Sequence, residues 1–522
     1  LCRRFDSFRR QIERGETRGT GRMGEKKKVF FWPYAPVVGL AVFLCYSNAI
    51  NNQLLSGDDE HLIVKNQYLR DARLWPKFFT QNLKAGFGQA TNFYRPLQLL
   101  AYAVTGRLGG WAPWSFHLLN VALHALCALA LFGLLVALFP TGPPWILATA
   151  ALLWALHPMQ VEDIAGANGT ATPLHALAML LSVLAFLESL KSRTLLWRAL
   201  SLVCFVAALL SKESAIVLPI LLMAVHAAKV RQESSAWPTP GPFLRDHLPF
   251  WLLAGFYVLL RLSVLNFGGT LNFYTAPNAF TEHFAYRLYT LATVLAYGLS
   301  LWIFPRGLHP ERSWMVWANP LDWHVLVSFL VLSLLVWAAW RARRRYLLVS
   351  LGIFWFFVSY APMSNLAAKI NSLFWEHWFY GPSIGFAIVL TALALSRGWS
   401  KKLFVAAGPL VVLGAGFMSY QRNFSWKDSE TYFRYVLSYE PRAAKLWNNL
   451  AMALAERGNS GQAIESYHRA IALDDHYPET RHNLGQEYLE IIKDELNVKV
   501  VEINPNLGEE IKLDSNITPE LE

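Results

Sequence analysis

The sequence predicts an all-α fold: a polytopic membrane helix bundle of about eleven spans, followed by a short C-terminal helical domain of tetratricopeptide-repeat type. Three observations support it. Of 522 residues, 54% are apolar and only 16% charged, more apolar surface than a water-soluble chain hides. The apolar residues fall into long runs separated by short basic clusters, as membrane spans and their cytoplasmic turns do. Towards the C-terminus the runs give way to small and aromatic residues recurring every 34 positions.

In chain order, residues 1–28 form a basic cytoplasmic segment. Residues 1–22, ahead of Met23, read as disordered or non-native, and the run that follows reads as an uncleaved signal anchor. Spans are expected at 29–50, 115–139, 145–157, 173–189, 197–211, 214–228, 248–266, 324–340, 346–361, 378–396 and 403–420, within a membrane domain of 29–420. Two of them, 145–157 and 346–361, are short for a hydrocarbon core of about 30 Å. With Lys26 to Lys28 inside, the clusters near Lys191, Lys229, Arg341 to Arg345 and Lys401 all fall on the cytoplasmic side. A further apolar segment, 285–304, would put Arg341 to Arg345 outside if it crossed, so it reads as re-entrant or interfacial. The net charge of +11 is accounted for by these turns, so no nucleic-acid partner is expected. Cys2, Cys45, Cys127 and Cys204 are scattered and suggest neither a disulfide framework nor a metal site.

This topology collects the longer polar stretches on the outer face, above all a first loop at 51–114. Everything after 421 lies there too. Trp447, Leu450, Ala451, Leu454, Gly458, Ala463, Tyr467 and Ala470 match one tetratricopeptide repeat, and a shift of 34 lands on Leu484, Gly485 and Tyr488, with Phe433 lying 34 before Tyr467. The repeat region is therefore 421–490, followed by an acidic irregular tail at 491–522.

Acids at a membrane boundary are costly, which makes Asp58, Asp59 and Glu60 the first candidates for chemistry. A carboxylate there suits a general base; the plainer reading is a solvated loop with a helix cap. Glu162 follows His157-Pro158 at the end of a span, where it is either a second interfacial acid or part of a capped turn, and a lone His157 is more often a packing residue. Lys212 and Glu213 interrupt an otherwise continuous apolar stretch; the lysine suits a phosphate, or the pair simply marks a turn. Arg95 suits an acid or a phosphate equally. Glu376 to Tyr380 enters a span through aromatic residues that a membrane belt also explains. Without a Gly-rich phosphate loop, an enzyme facing outward needs a membrane-borne donor, and a polyprenyl-phosphate sugar meets that need.

Read together, Asp58-Asp59 with Ile63 and Asn66, Tyr94-Arg95-Pro96-Leu97, Phe116-His117 with Asn120 and His124, and His157-Pro158 with Glu162 form an ordered set. It continues through Lys212-Glu213, Pro362 with Ser364-Asn365, and Glu376 with Tyr380 and Pro382-Ser383-Ile384-Gly385-Phe386. Over roughly residues 50–490 this order resembles the transmembrane and tetratricopeptide-repeat O-mannosyltransferase-like proteins, a family of GT-C membrane glycosyltransferases similar to protein O-mannosyltransferases. The resemblance implies an inverting transfer of a sugar, mannose or another hexose, from a polyprenyl-phosphate donor to an acceptor hydroxyl on protein or glycan, at the extracytoplasmic face. That face is the bacterial periplasm or the endoplasmic reticulum lumen. By position Asp58 is the base and Asp59 its support, with Glu162 a second active-site acid. Arg95, Lys212, His157, Glu213, Glu376 and Tyr380 are carried over as donor-phosphate or substrate contacts. The sequence departs from the family at His377, where relatives often have arginine, and in its few repeats.

No cofactor is implied with certainty, and a divalent metal could assist, although no ligand spacing requires one. The bilayer is a partner, and a protein could dock on the repeats. Alternatives are an oligosaccharide ligase or a lipid or cell-wall glycosyltransferase on the same scaffold, a transporter, and a non-catalytic repeat scaffold. A transporter would place acids near the bilayer centre.

Overall fold

The computed structural model describes residues 33–267, 278–370, 372–396, 398–474 and 478–496; the basic segment 1–28 and most of the tail 491–522 lie outside them. Every element among the described residues is helical. Numbering helices of nine residues or more, the membrane part comprises α1 (Tyr34–Tyr46), α2 (Pro96–Leu108), α3 (Pro113–Leu138), α4 (Pro144–Ala155), α5 (Ala171–Ser192), α6 (Leu195–Ser211), α7 (Leu218–Ser234), α8 (Pro240–Leu262), α9 (Phe284–Ile303), α10 (Trp323–Ala342), α11 (Leu347–Tyr360), α12 (Ile384–Ser396) and α13 (Gly398–Asn423). The repeat region holds α14 (Ser429–Leu437), α15 (Ala444–Ala455), α16 (Ser460–Leu473) and α17 (Pro478–Leu496).

Seven helical segments are long and apolar enough to cross a membrane, and four shorter apolar helices coincide with α4, α6, α11 and α12. Together they match the eleven expected spans. Only 11% of the apolar window of α10 is buried, as is 11% of that near α13, so these helices turn their side chains to lipid. The chain is an integral membrane protein. Prolines at the first turns of α2 to α4 start those helices where an amide would be unpaired anyway.

α9 is a continuous helix of 20 residues. Near its start, Arg287 and Thr290 share a small recess with Tyr360 and Asn365; at its end, His157 stacks on Trp302 with centroids 3.9 Å apart. These contacts hold α9 against the ends of α11 and α4. α2, inside the first loop, was not anticipated; its run 96–108 is too short and polar to register as a span.

α11 and α12 meet backbone to backbone. A Cβ on Gly352 would lie 2.5 Å from the Gly385 carbonyl oxygen, and one on Gly385 2.2 Å from that of Gly352, so only glycine fits either position. In the repeat region α15 and α16 pack Leu450, Ala451, Leu454, Ala463, Tyr467 and Ala470 into a shared core around a turn at Gly458, φ 75°. Phe433 and Leu484, one period away on α14 and α17, are also buried. α17 runs to Leu496, so helix replaces irregular chain over the first residues of the predicted tail.

Candidate active site

Three loops carry acids to one face of the bundle. In the first, Gly57 adopts φ 100°, open to glycine at no steric cost, and a single π turn follows at Glu60–Val64. The two adjacent aspartates have opposite surroundings. Asp59 is 1% exposed: the Leu55 amide donates to its Oδ2 at 2.8 Å and the Asn168 amide to Oδ1 at 2.7 Å. Burial pushes it up to about 7 despite those amides. Asp58 remains accessible, accepting from Lys84 Nζ at 2.9 Å with its side chain 57% exposed. Burial opposes its charge, but the Lys84 ammonium outweighs that and holds Asp58 below the usual carboxylate range. Glu60 pairs with exposed Lys65, outside this arrangement.

In the second loop, the short turn Val161–Ala165 buries Glu162. His377 Nδ1 bonds its Oε1 at 2.7 Å, and the His377 amide donates to Oε2 at 3.1 Å. Burial works against the charge, yet His377, with Arg422 beyond it, keeps Glu162 below its ordinary value. Asp163 is raised well above the ordinary value, chiefly by burial, and its Oδ2 lacks a partner in the structure.

His377 also lines a recess between α5, the turn Glu213–Val217 ahead of α7, α11 and the start of α12. One part of its wall is polar, with Thr172, His175, Lys212, Ser214 and His377; the rest is apolar, with Ala176, Met179, Val217, Trp355, Met363 and Ile384. Lys212 is 5% exposed and donates to Thr172 Oγ1 at 2.9 Å. Among the described residues it makes no ion pair. Burial, reinforced by the Arg95 guanidinium, lowers it to about 8. A buried ammonium at the polar end of an apolar recess can take a phosphate and leave a hydrocarbon tail in dry surroundings.

The third loop, between α9 and α10, brings Glu311, whose Oε2 lies 3.7 Å from Lys445 Nζ of the repeat region.

The other predicted contacts are already occupied. Arg95 Nε donates to Glu213 Oε2 at 3.3 Å and the Tyr94 amide to Oε1 at 3.1 Å, so the two expected donor contacts bind each other. Glu376 accepts from Arg422 Nη2 at 2.6 Å. His157 caps a helical turn by accepting from the Met159 amide at 3.3 Å, while its Nε2 reaches the Trp302 carbonyl at 3.2 Å, leaving no ring nitrogen for a phosphate. Tyr380 is 1% exposed, and its hydroxyl lies 2.7 Å from His124 Nδ1, inside the bundle and apart from the recess.

Residues 444–477 match the tetratricopeptide repeat family. Protein O-mannosyl-transferase TMTC4 of Mus musculus is 29% identical over 502 residues, covering 84% of this chain and 66% of that protein. The chain is similar to the TMTC proteins over most of its length. The Homo sapiens TMTC4 gives 29% over 496 residues with the same coverage, and TMTC3 of Homo sapiens 24% over 434 residues, covering 76% of this chain and 46% of that protein. The chain thus spans about two thirds of the TMTC4 proteins and less than half of TMTC3. Among solved structures, ArnT from Cupriavidus metallidurans bound to undecaprenyl phosphate aligns over 89% of this chain and 79% of that one, at TM-score 0.38 and 14% identity, too loose to argue from.

Three residues near these loops carry little local signal in the sequence. His377 seemed only to replace an arginine, yet it joins Glu162 to the recess. Arg422 closes the last turn of a long apolar helix, where no motif marks it. Glu311 lies in a loop without a motif. Among the described residues no group of three His, Cys, Asp or Glu side chains is arranged to hold a metal ion.

Proposed function

We propose that this protein is a membrane glycosyltransferase that moves mannose from a polyprenyl-phosphate donor to a hydroxyl of a protein acceptor at the extracytoplasmic face. The observation that carries the reading is the Lys212 recess, whose buried ammonium and apolar wall suit a phosphate esterified to an isoprenoid. The names of the TMTC relatives, protein O-mannosyl-transferases, supply the sugar and the acceptor class.

In the proposed reaction the acceptor oxygen attacks the anomeric carbon as the bond from that carbon to the phosphate oxygen breaks. Asp58 takes the hydroxyl proton, and polyprenyl phosphate departs with the bonding electrons. Its negative charge is met by Lys212. Inversion follows from a single displacement, and because phosphate is a competent leaving group, positioning and base help suffice. Asp58 suits the base better than Asp59, since both oxygens of Asp59 are engaged by amides that fix the loop. Glu162 orients His377 at the recess. Arg95, Glu213 and Glu376 support the surrounding loops through their ion pairs.

The test is transfer by purified protein from polyprenyl-phosphate mannose to serine- and threonine-containing peptides. Asp58→Asn should lose transfer while still inserting and binding donor; normal turnover by that variant would remove Asp58 from the role. Transfer to a lipid or glycan acceptor alone would favour a ligase or cell-wall enzyme instead.

A further inference from the structure

Resting on the transferase reading above, we infer that Ser429, at the start of α14, is a positioning residue for Asp58: through its hydroxyl the repeat region reaches the base loop and sets where the base stands. The contact is a chain of hydrogen bonds. The Ser56 amide donates to Ser429 Oγ at 2.8 Å, the two serine hydroxyl oxygens lie 3.0 Å apart, and Ser56 Oγ donates to Glu456 Oε2 at 3.1 Å. Because the Ser56 hydroxyl proton goes to a carboxylate, the Ser429 hydroxyl is the donor between the two serines, and each donor in the chain meets an acceptor. A second bond, from the Gln53 amide to the Lys427 carbonyl at 2.8 Å, ties the same loop to the residues just ahead of α14.

The repeat side of this chain is itself fixed. Asp428 caps α14 by accepting from the Thr431 amide at 2.9 Å, and Arg457, next to Glu456, lies 3.1 Å from Asp428 Oδ2 and 2.6 Å from Glu430 Oε2. Ser56 is therefore held between the first turn of α14 and the residues that end α15. Only Gly57 separates it from Asp58, and Gly57 holds φ 100°, a conformation that glycine enters and leaves with little resistance. On the other side of the base, Asp59 is bound by the Leu55 amide of its own loop and by the Asn168 amide of the bundle. Asp58 thus stands between two anchors, one on the repeats and one on the bundle, and releasing the first frees Gly57 to carry the base out of line.

Docking of the repeats has other supports. Tyr435 donates to the Leu308 carbonyl, His309 stacks on Tyr439 with centroids 4.6 Å apart, and Glu440 Oε1 accepts from the Ser313 amide at 3.1 Å, all involving the loop between α9 and α10. Trp426 packs on Tyr432 with centroids 4.8 Å apart, which fixes the join between α13 and α14. The serine chain is left with one distinct effect, the placement of residues 53–58.

Ser429→Ala, Ser429→Thr and Arg434→Ala separate positioning from docking, since the bonds of Arg434 run to Glu430 and Gln462 within the repeats. With polyprenyl-phosphate mannose and peptide acceptors, Ser429→Ala should lower kcat about tenfold and leave the donor KM unchanged, the mark of a misplaced reacting group. Hydrogen exchange, read by mass spectrometry, should quicken at residues 54–60 and keep its wild-type rate over α15 and α16. Ser429→Thr retains the hydroxyl and should recover both readings, and Arg434→Ala should match wild type in both. Unchanged kcat in Ser429→Ala, an equal loss in Arg434→Ala, or exchange that rises across the whole repeat region would overturn the inference while leaving transfer by the wild type intact. Faster exchange confined to 54–60, in a protein whose wild type never turns over donor, counts against the transferase reading alone.

Discussion

The acid loop and the lysine recess handle charge in opposite ways. The loop keeps Asp58 at the surface, paired with the Lys84 ammonium, and uses its buried neighbour as a main-chain fastening. The recess buries Lys212 with one hydroxyl as its hydrogen-bond partner and the charges of Asp163 and Glu213 nearby. A base must exchange a proton with an arriving acceptor, so it benefits from access; a phosphate contact must work where water is excluded, so it benefits from burial. On the proposed reading, the contrast separates a side that turns over from a side that grips.

Four measurements can break or sharpen it. The largest effect belongs to Asp58→Asn, for which kcat should fall by about 10²–10⁴, the usual worth of a general base, with donor KM unchanged in steady-state assays. Asp59→Ala should act differently: loss of two charge-assisted bonds and two stranded amides costs about 2–4 kcal/mol locally, visible as new proteolysis near residues 55–61. If Asp59→Ala kept a protected loop and lost only kcat, the division of labour between the two aspartates would be reversed.

Lys212→Met should raise the donor KM about 10–100-fold, the worth of one charge-assisted hydrogen bond, with a much smaller change in kcat. Lys212 is charged below about 8, so donor affinity should decline as pH rises through that value, and Lys212→Arg should move the decline upward. The smallest effect concerns Lys84. Asp58 is held below the usual carboxylate range and acts only when ionised, so activity should persist into mildly acidic solution and fall as pH drops through the lowered value. Lys84→Met removes the cause and should shift that acid limb to higher pH.

Much of the bundle was legible because lipid demands long apolar runs, and a run of leucines reads the same alone as in contact. The site was legible only in part. Asp58, Asp59, Glu162 and Lys212 interrupt apolar sequence and announce themselves. Arg95 and Glu213 did so too, yet their pairing spans more than a hundred residues and no local pattern encodes it. Tyr380 and His157 sit in suggestive order but point into packing.

The facing glycines of α11 and α12 have a consequence for traffic. With their main chains in contact, the two helices form one plank that no hydrocarbon can wedge apart. Trp355 and Ile384, from these same helices, line the recess. On the proposed reading, the donor's lipid then has no path to Lys212 between α11 and α12, and must pass on the α5 side of the recess.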